Sequence, residues 1–142
     1  MASSNPSPSP DRAYDLVLCG ASSFVGKLTA EYLAGAAPSD LKVALAGRSE
    51  QKLEKVRSAL PAPADNWPIM LADSDDEDSI AQMARSARVV VTTVGPYLKY
   101  GLPLVLACAE AGTDYADLTG EALFVRRSID QAHETATKNG AR

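Results

Sequence analysis

A short segment bounded by two glycines, Gly20 and Gly26, is the part of the chain best suited to bind a charged ligand. It lies between an apolar run typical of a buried strand and a segment with helical periodicity. Gly20 permits a tight turn out of the strand, and Gly26 lets the helix pack closely on the sheet. The helix N-terminus presents free N–H groups and the positive end of its dipole, which suit a pyrophosphate. The residues expected to line this phosphate with the glycines are Ser22, Ser23, Phe24 and Val25.

Ser23 stands where the Gly-x-x-Gly-x-x-Gly form of such a loop has its middle glycine. Its Cβ would hold a phosphate further from the backbone, whereas its hydroxyl could donate a hydrogen bond to the phosphate. A plain tight turn is the alternative interpretation of the whole loop. We favour phosphate binding because the loop joins the first strand to the first helix of a regular series.

Arg48 follows a second apolar run, 42–46, at the point where this run would end as a strand. Dinucleotide sites specific for NAD usually place Asp or Glu there to bind the ribose 2′-hydroxyl, and this chain has neither. The planar guanidinium of Arg48 suits a 2′-phosphate instead, although a solvated surface arginine is the alternative. Ser49 could bind the same phosphate, cap the next helix, or do both. The position of Arg48 therefore predicts NADP as cofactor.

The β-branched run 88–93 is followed by a loop that contains Gly95 and Pro96. In a doubly wound sheet, the first and fourth strands flank the crevice where a dinucleotide lies. Gly95 permits close backbone approach and Pro96 stiffens the loop. We therefore expect the nicotinamide ribose near Val94, Gly95 and Pro96. Tyr97 could stack, donate a hydrogen bond or fill space, and the residues alone leave these three roles open.

Carboxylates follow two other predicted strands. Asp73 ends the third strand, where it could contact the adenine amino group. Asp117 or Glu121, after the fifth strand, could contact substrate or cofactor. Alternatively, Thr119 or Gly120 caps the last helix and Glu121 lies in its first turn.

The elements that would position these residues alternate regularly along the chain. Apolar runs predict strands at 14–19, 42–46, 68–71, 88–93 and 113–116. Helical periods follow them: the first carries Val25, Leu28, Tyr32 and Leu33 on one face, and the third carries Ile80, Met83 and Ala87. Strands alternating with helices predict an α/β fold with a doubly wound parallel sheet, the Rossmann fold. A sixth strand would normally follow the helix predicted at 121–138, so we expect a domain truncated before it.

Composition bounds the remaining possibilities. Residues 1–12 are rich in Ser and Pro and predict a disordered tail, leaving 13–142 as the dinucleotide-binding domain. A net charge of -4 argues against nucleic acid as the main partner, and no run is long enough to indicate membrane association. Cys19, Cys108 and His133 offer no metal-ligand spacing, so no metal is expected. Two cysteines in apolar runs and the lack of a signal peptide favour the cytoplasm.

Taken together, these segments resemble the saccharopine dehydrogenase-like oxidoreductases. The resemblance covers almost the whole chain after the tail and is carried by residues 20–26, 46–48, 94–97 and 114–121. Within that group the chain is most similar to the trans-acting enoyl reductases, through residues 91–97 and 100–105. The family usually has glycine where Ser23 stands.

The resemblance implies an activity for the full-length protein. In the similar enzymes, a separate reductase serves a polyketide synthase that lacks a working reductase, during assembly of complex cell-envelope lipids. NADPH would give hydride to the β-carbon of an enoyl thioester, with an acyl carrier or the synthase as partner. The substrate domain is expected to lie outside this chain, so catalytic residues are unknown and the chain alone should show little turnover. Alternatives are a saccharopine dehydrogenase-like enzyme acting at a C–N bond and a non-catalytic NADP-binding or sensor module.

Overall fold

Five parallel strands form one sheet in the computed structural model, which describes residues 11–142. The strands are β1 (Tyr14–Cys19), β2 (Val43–Gly47), β3 (Ile69–Leu71), β4 (Ala87–Thr92) and β5 (Asp114–Ala116). Their order across the sheet is β3-β2-β1-β4-β5. The central strand pairs on both sides, with Leu16 of β1 opposite Val43 of β2 and Val89 of β4. The predicted doubly wound parallel sheet is therefore confirmed.

Helices cover both faces of the sheet. They are α1 (Phe24–Ala36), α2 (Glu50–Ser58), α3 (Glu77–Ser86), α4 (Tyr97–Tyr100), α5 (Leu102–Ala111) and α6 (Ala122–Asn139), with a short 3₁₀ turn at Ala64–Asn66. Alternation along β1 sends Val17 into a core with α3 and α5, whereas Leu18 enters a core with α1 and α2. Helix α6 packs on α5.

Polar side chains begin three of the helices. The Ser23 Oγ accepts a hydrogen bond from the Gly26 N–H, and the Ser49 Oγ accepts from the Lys52 N–H. Asp76 caps α3 in the same manner, so the acidic run after Asp73 leads directly into the first turn of a helix. Each of the three caps lies at the carboxyl side of a strand, where the chain turns back into a helix.

Two glycines end the helices that the sequence marked for them. Gly112 follows α5 with φ 68°, and Gly140 follows α6 with φ 77°. A left-handed residue ends a helix at little steric cost only when it lacks a Cβ. The helix predicted at 121–138 agrees with α6 to within one residue at each end, and the predicted strand ends also agree to within one residue.

The face predicted for α1 is wrong for Leu28 and Tyr32, although Leu33 packs against the core. Gly26 and Ala30 face the core, whereas Leu28 is 51% exposed and Tyr32 is 70% exposed. The close approach of α1 to the loop that follows β1 leaves room only for small residues on the inner face. Apolar periodicity cannot find such a face, because the larger residues lie on the opposite side of the helix.

Two smaller differences concern element boundaries. Ala87 is the first residue of β4 and not the last of a helix, since α3 ends at Ser86 and runs directly into the strand. The four-residue helix α4, which begins at Tyr97, was not predicted because four residues are too few to show a period.

Arg12 lies against the domain, although the sequence interpretation assigned it to the tail. Its guanidinium donates hydrogen bonds to the carbonyls of Arg85 and Ala111, near the C-termini of α3 and α5. A cation at this end of a helix also interacts favourably with the dipole. Residues 1–10 of the proposed tail lie outside the described residues.

Candidate cofactor-binding site

A cleft of about 470 Å³ opens at the carboxyl ends of β1, β2 and β4. It lies at the point where the strand order reverses, which is where ligands bind in open parallel sheets. Several residues that the sequence predicted as cofactor-binding line this cleft: Gly20, Ser22, Ser23, Arg48, Ser49, Val94 and Gly95. The fold thus brings together residues from three loops that lie far apart in sequence.

The two glycines of the first loop are required by its geometry. Gly20 has φ 79°, and a Cβ there would lie 2.7 Å from the Thr93 Oγ1. A Cβ on Gly26 would lie 2.0 Å from the carbonyl oxygen of Gly20. The sequence interpretation had Gly26 packing on the sheet; the closest atoms belong to the turn that follows β1. The tight turn brings the N-terminus of α1 directly against the end of the strand.

The Ser23 hydroxyl is engaged within the protein. Its Oγ accepts from the Gly26 N–H at 2.9 Å and lies 3.0 Å from the Thr93 Oγ1. The Thr93 hydroxyl donates to the Gly20 carbonyl at 3.0 Å, so the Ser23 hydroxyl acts as the donor to Thr93. This chain of hydrogen bonds ties the loop after β1 to the loop after β4. The expected donation from Ser23 to a phosphate would require that link to break.

Phe24 and Val25 begin α1 but do not line the cleft. The Phe24 side chain is 79% exposed. The first N–H groups of a helix have no intrahelical partner, and the first backbone bond of α1 is from Lys27 to Ser23. The amides of Phe24 and Val25 therefore remain available to an anion at the N-terminus of α1.

The end of the cleft near β2 is rich in cationic and hydroxyl groups. Arg48 and Ser49 line it together with Lys52, which the sequence reasoning missed. Lys52 also lines a second cleft of about 470 Å³ between α1 and α2, beside Lys27 and Lys55. Lys52 lies in the first turn of α2, three residues after the cap Ser49, and that spacing was the signal available in the sequence. Clustered cations give this end a positive potential that favours an anionic group.

The loop after β4 forms the opposite wall. Val94 and Gly95 line the cleft, whereas Pro96, which follows a cis peptide bond, does not. The Val94 N–H donates to the Thr92 Oγ1 at 3.2 Å, which holds the start of the loop to the strand end. Tyr97 is 6% exposed, and its hydroxyl donates to the Thr92 carbonyl at 3.2 Å. Its ring centroid lies 5.7 Å from that of Phe124, so Tyr97 fills the core under the loop.

Asp73 lies outside the main cleft. It lines a smaller adjoining cavity of about 110 Å³, beside Arg48 and Tyr100. Its carboxylate accepts a hydrogen bond from the Asp75 N–H at 3.0 Å, which shapes the turn before α3. The neighbouring Ser74, which the sequence reasoning did not select, lines the main cleft.

Asp117 and Glu121 both accept hydrogen bonds from other groups of the protein, and the residue that caps α6 is Glu121, not Thr119 or Gly120. Asp117 accepts from the Tyr115 hydroxyl at 2.7 Å and from the Thr119 N–H at 2.9 Å. Burial raises the pKa of Tyr115 above its usual value, and the bond to Asp117 raises this pKa further. Glu121 is the N-cap residue directly before α6, and its carboxylate accepts from the N–H groups of Tyr97 and Leu98. Neither Asp117 nor Glu121 lines the cleft.

The two cysteines are buried thiols. Burial raises the pKa of Cys19, which lines the cleft, from 9.0 to about 11. It raises the pKa of Cys108 from 9.0 to about 12. A thiol held protonated at neutral pH is a poor nucleophile, so Cys19 contributes an apolar surface to the cleft. The interpretation of both cysteines as small buried residues is confirmed.

Residues 11–142 present neither a cluster of metal-ligating side chains nor a helix that could span a membrane. No group of three or more His, Cys, Asp and Glu side chains in that range could hold a metal ion. None of its helices combines the length and the apolar character that crossing a membrane requires.

Comparison with known proteins gives the cleft a context. Residues 16–141 match the family model described as the saccharopine dehydrogenase NADP binding domain. A Mycobacterium tuberculosis protein named as a trans-acting enoyl reductase is 60% identical over 131 residues, which are 92% of this chain and 31% of that protein. A trans-acting enoyl reductase of Mycobacterium leprae is 55% identical over 135 residues, covering 94% of this chain and 32% of that one. The chain thus spans about a third of the length of the relatives it matches.

Solved structures share the fold. Saccharopine dehydrogenase from Saccharomyces cerevisiae superposes with a TM-score of 0.66 at 19% identity, over 80% of this chain and 23% of that one. The triphenylmethane reductase of Citrobacter sp., solved with NADP(H), gives a TM-score of 0.64 at 14% identity, over 90% and 47% of the two chains. The family match confirms the resemblance noted in the sequence and the prediction of NADP as cofactor. This chain belongs to the saccharopine dehydrogenase NADP-binding domain family.

Proposed function

We propose that the cleft at the ends of β1, β2 and β4 binds NADPH in one orientation. One observation carries this proposal: the glycine-bounded loop before α1 and the cationic side chains of Arg48 and Lys52 line the same cleft. Because Gly20 and Gly26 have no Cβ atoms, a pyrophosphate can approach the backbone N–H groups closely. The residues present therefore fit the dinucleotide that the family binds.

The cationic end would hold the adenosine half of the cofactor. Arg48 offers two parallel donors to a 2′-phosphate, and Lys52 adds a point charge beside it. Ser49 already accepts from the Lys52 N–H, and its hydroxyl proton remains free to bond to the same phosphate. Asp73, in the adjoining cavity, is placed to approach the adenine edge from the side of β3.

The opposite end would hold the nicotinamide half. Val94 and Gly95 form the wall there, and Pro96 keeps the loop turned toward α4. The pyrophosphate would lie between the two ends, on the free amides at the start of α1 and near Ser22 and Ser23. The chain's own contribution is to bind, orient and shield the cofactor, while bound NADPH supplies the hydride.

We further propose that the whole protein is a trans-acting enoyl reductase, which reduces a carbon–carbon double bond of an acyl thioester. The relatives at 55–60% identity that carry this name support it. An acyl carrier or a polyketide synthase would present the substrate, and the remaining two thirds of the protein would bind it. Two buried free thiols also support a reducing compartment, the cytoplasm. A saccharopine-type reaction at a C–N bond is the second candidate, favoured by the family model.

Turnover by the full-length protein separates these functions. It should oxidise NADPH in the presence of an enoyl thioester carried on an acyl carrier protein, and it should not reduce NADP⁺ in the presence of saccharopine, whose C–N bond would give the hydride. The reverse preference would overturn the enoyl reductase proposal. The chain 1–142 alone should bind NADPH without rapid oxidation of the cofactor, because we assign substrate binding to the rest of the full-length protein. Rapid enoyl reduction by this chain would contradict that assignment.

A further inference from the structure

The carboxylate of Glu121, which does not line the cleft, holds the beginning of α4. It accepts from the Tyr97 N–H at 2.9 Å through Oε1 and from the Leu98 N–H at 2.7 Å through Oε2. The first N–H groups of a helix have no intrahelical partner, and an anion there is also favoured by the helix dipole. Each carboxylate oxygen thus serves one amide of the turn that directly follows Pro96.

A series of hydrogen bonds connects Glu121 to the end of β5. The Tyr115 hydroxyl donates to Asp117, and Asp117 accepts from the Thr119 N–H. The Thr119 Oγ1 in turn accepts from the Glu121 N–H at 3.0 Å. This continuous set of hydrogen bonds gives the Glu121 carboxylate a defined position relative to the sheet. The loop 94–96 is therefore held between β4 on one side and the β5–α6 connection on the other.

We propose that Glu121 is a positioning residue that sets the loop 94–96 at the distance required by the nicotinamide half of the cofactor. This inference rests on the orientation of NADPH proposed above. Glu121 does not line the cleft, so it acts through the backbone of Tyr97 and Leu98 and not by contact. The adenosine end at Arg48 belongs to a different loop, after β2, and the Glu121 carboxylate makes its hydrogen bonds to α4 and not to that loop.

Replacing Glu121 by glutamine removes one of its two acceptors. An amide has a single carbonyl oxygen, and its NH₂ group would face an N–H donor of the protein. One amide of the first turn of α4 then loses its partner, and the loop before it loses one restraint. The nicotinamide half of the cofactor should bind less well, whereas the adenosine half should be unaffected.

Two ligands distinguish these effects by calorimetry on the chain 1–142. NADPH reports on both halves of the site, and adenosine 2′,5′-bisphosphate reports on the adenosine half alone. Glu121→Gln should weaken NADPH binding at least tenfold and leave the affinity for the bisphosphate unchanged. Glu134→Gln, an exposed glutamate on the same helix, is the matched control and should change neither affinity.

The following results would overturn the inference. Unchanged NADPH binding in Glu121→Gln would show that the anchor is dispensable, and an equal loss for both ligands would show a general structural role. If the wild-type protein binds the bisphosphate but not NADPH, this inference fails but the proposed adenosine site is retained. If it binds neither ligand, the proposed function itself fails. If Glu121→Gln does not fold, amide hydrogen exchange of the wild type decides: slow exchange at Tyr97 and Leu98 supports the anchor, and fast exchange at either contradicts it.

Discussion

Replacing Gly26 by alanine tests the closest contact in the phosphate loop. The added Cβ would lie 2.0 Å from the Gly20 carbonyl oxygen and 2.8 Å from the Ala21 Cα. Both atoms belong to the backbone, so no side-chain rotation relieves the contact. Separating the Cβ from the oxygen to 3.0 Å, the shortest distance tolerated in practice, moves α1 outward by 1.0 Å (3.0 minus 2.0).

This displacement sets the expected magnitudes. Overpacking against backbone belongs at the upper end of the usual cost of about 1–3 kcal/mol. The higher helix propensity of alanine returns about 1 kcal/mol, so the net loss of stability should be about 2 kcal/mol. Moving the start of α1 also carries the amides of Phe24 and Val25 away from the pyrophosphate. We expect NADPH affinity to fall at least about tenfold, which corresponds to about 1.4 kcal/mol.

Denaturant unfolding and calorimetric titration of the same protein samples measure the two effects. Gly35→Ala is the matched control, because Gly35 lies in the same helix and a Cβ there meets nothing within 4 Å. This control should gain up to about 1 kcal/mol and bind NADPH as the wild type does. Wild-type stability and affinity in Gly26→Ala would refute the steric reasoning.

Two other predictions concern the cationic end and the thiols. Lys52→Ala should weaken NADPH binding about tenfold with little change for NADH, whereas Lys55→Ala, which lines only the cleft between α1 and α2, should alter neither affinity by calorimetry. At about pH 8 a thiol reagent should react with neither Cys19 nor Cys108 in the folded chain and with both after denaturation, because only the unfolded chain forms thiolate there. Since the folded pKa of Cys19 is raised, its contribution to the free energy of unfolding is complete below pH 9.0 and is lost as pH rises to about 11.

Much of the fold could be predicted because local signals agreed with one another. The β-branched run that became β4 and the glycines that end α5 and α6 each marked an element independently of the rest. The face of α1 was wrong because contact with the Gly20 turn selects small residues, and that contact joins parts of the chain only after folding.

The residues of the candidate site also fall into two groups, those that the sequence could predict and those that it could not. Gly20, Arg48 and Gly95 stand directly after strands, so the topology alone brings them to one edge of the sheet. The partners of Ser23 and Glu121 could not be predicted, since each contact is formed between two loops whose relative positions no sequence pattern states. Side-chain roles that depend on two loops therefore emerged only from the structure.

The central claim is that the cleft binds NADP(H) through a 2′-phosphate contact made by Arg48. Its most direct test is titration of the chain 1–142 with NADPH and NADH, before and after Arg48→Ala. A lost charge-assisted pair should cost about 1.5–3 kcal/mol, so the wild type should prefer NADPH by about tenfold or more and the variant should lose that preference while still binding NADH. Equal binding of the two cofactors by the wild type, or a preference that survives in Arg48→Ala, would contradict the assignment.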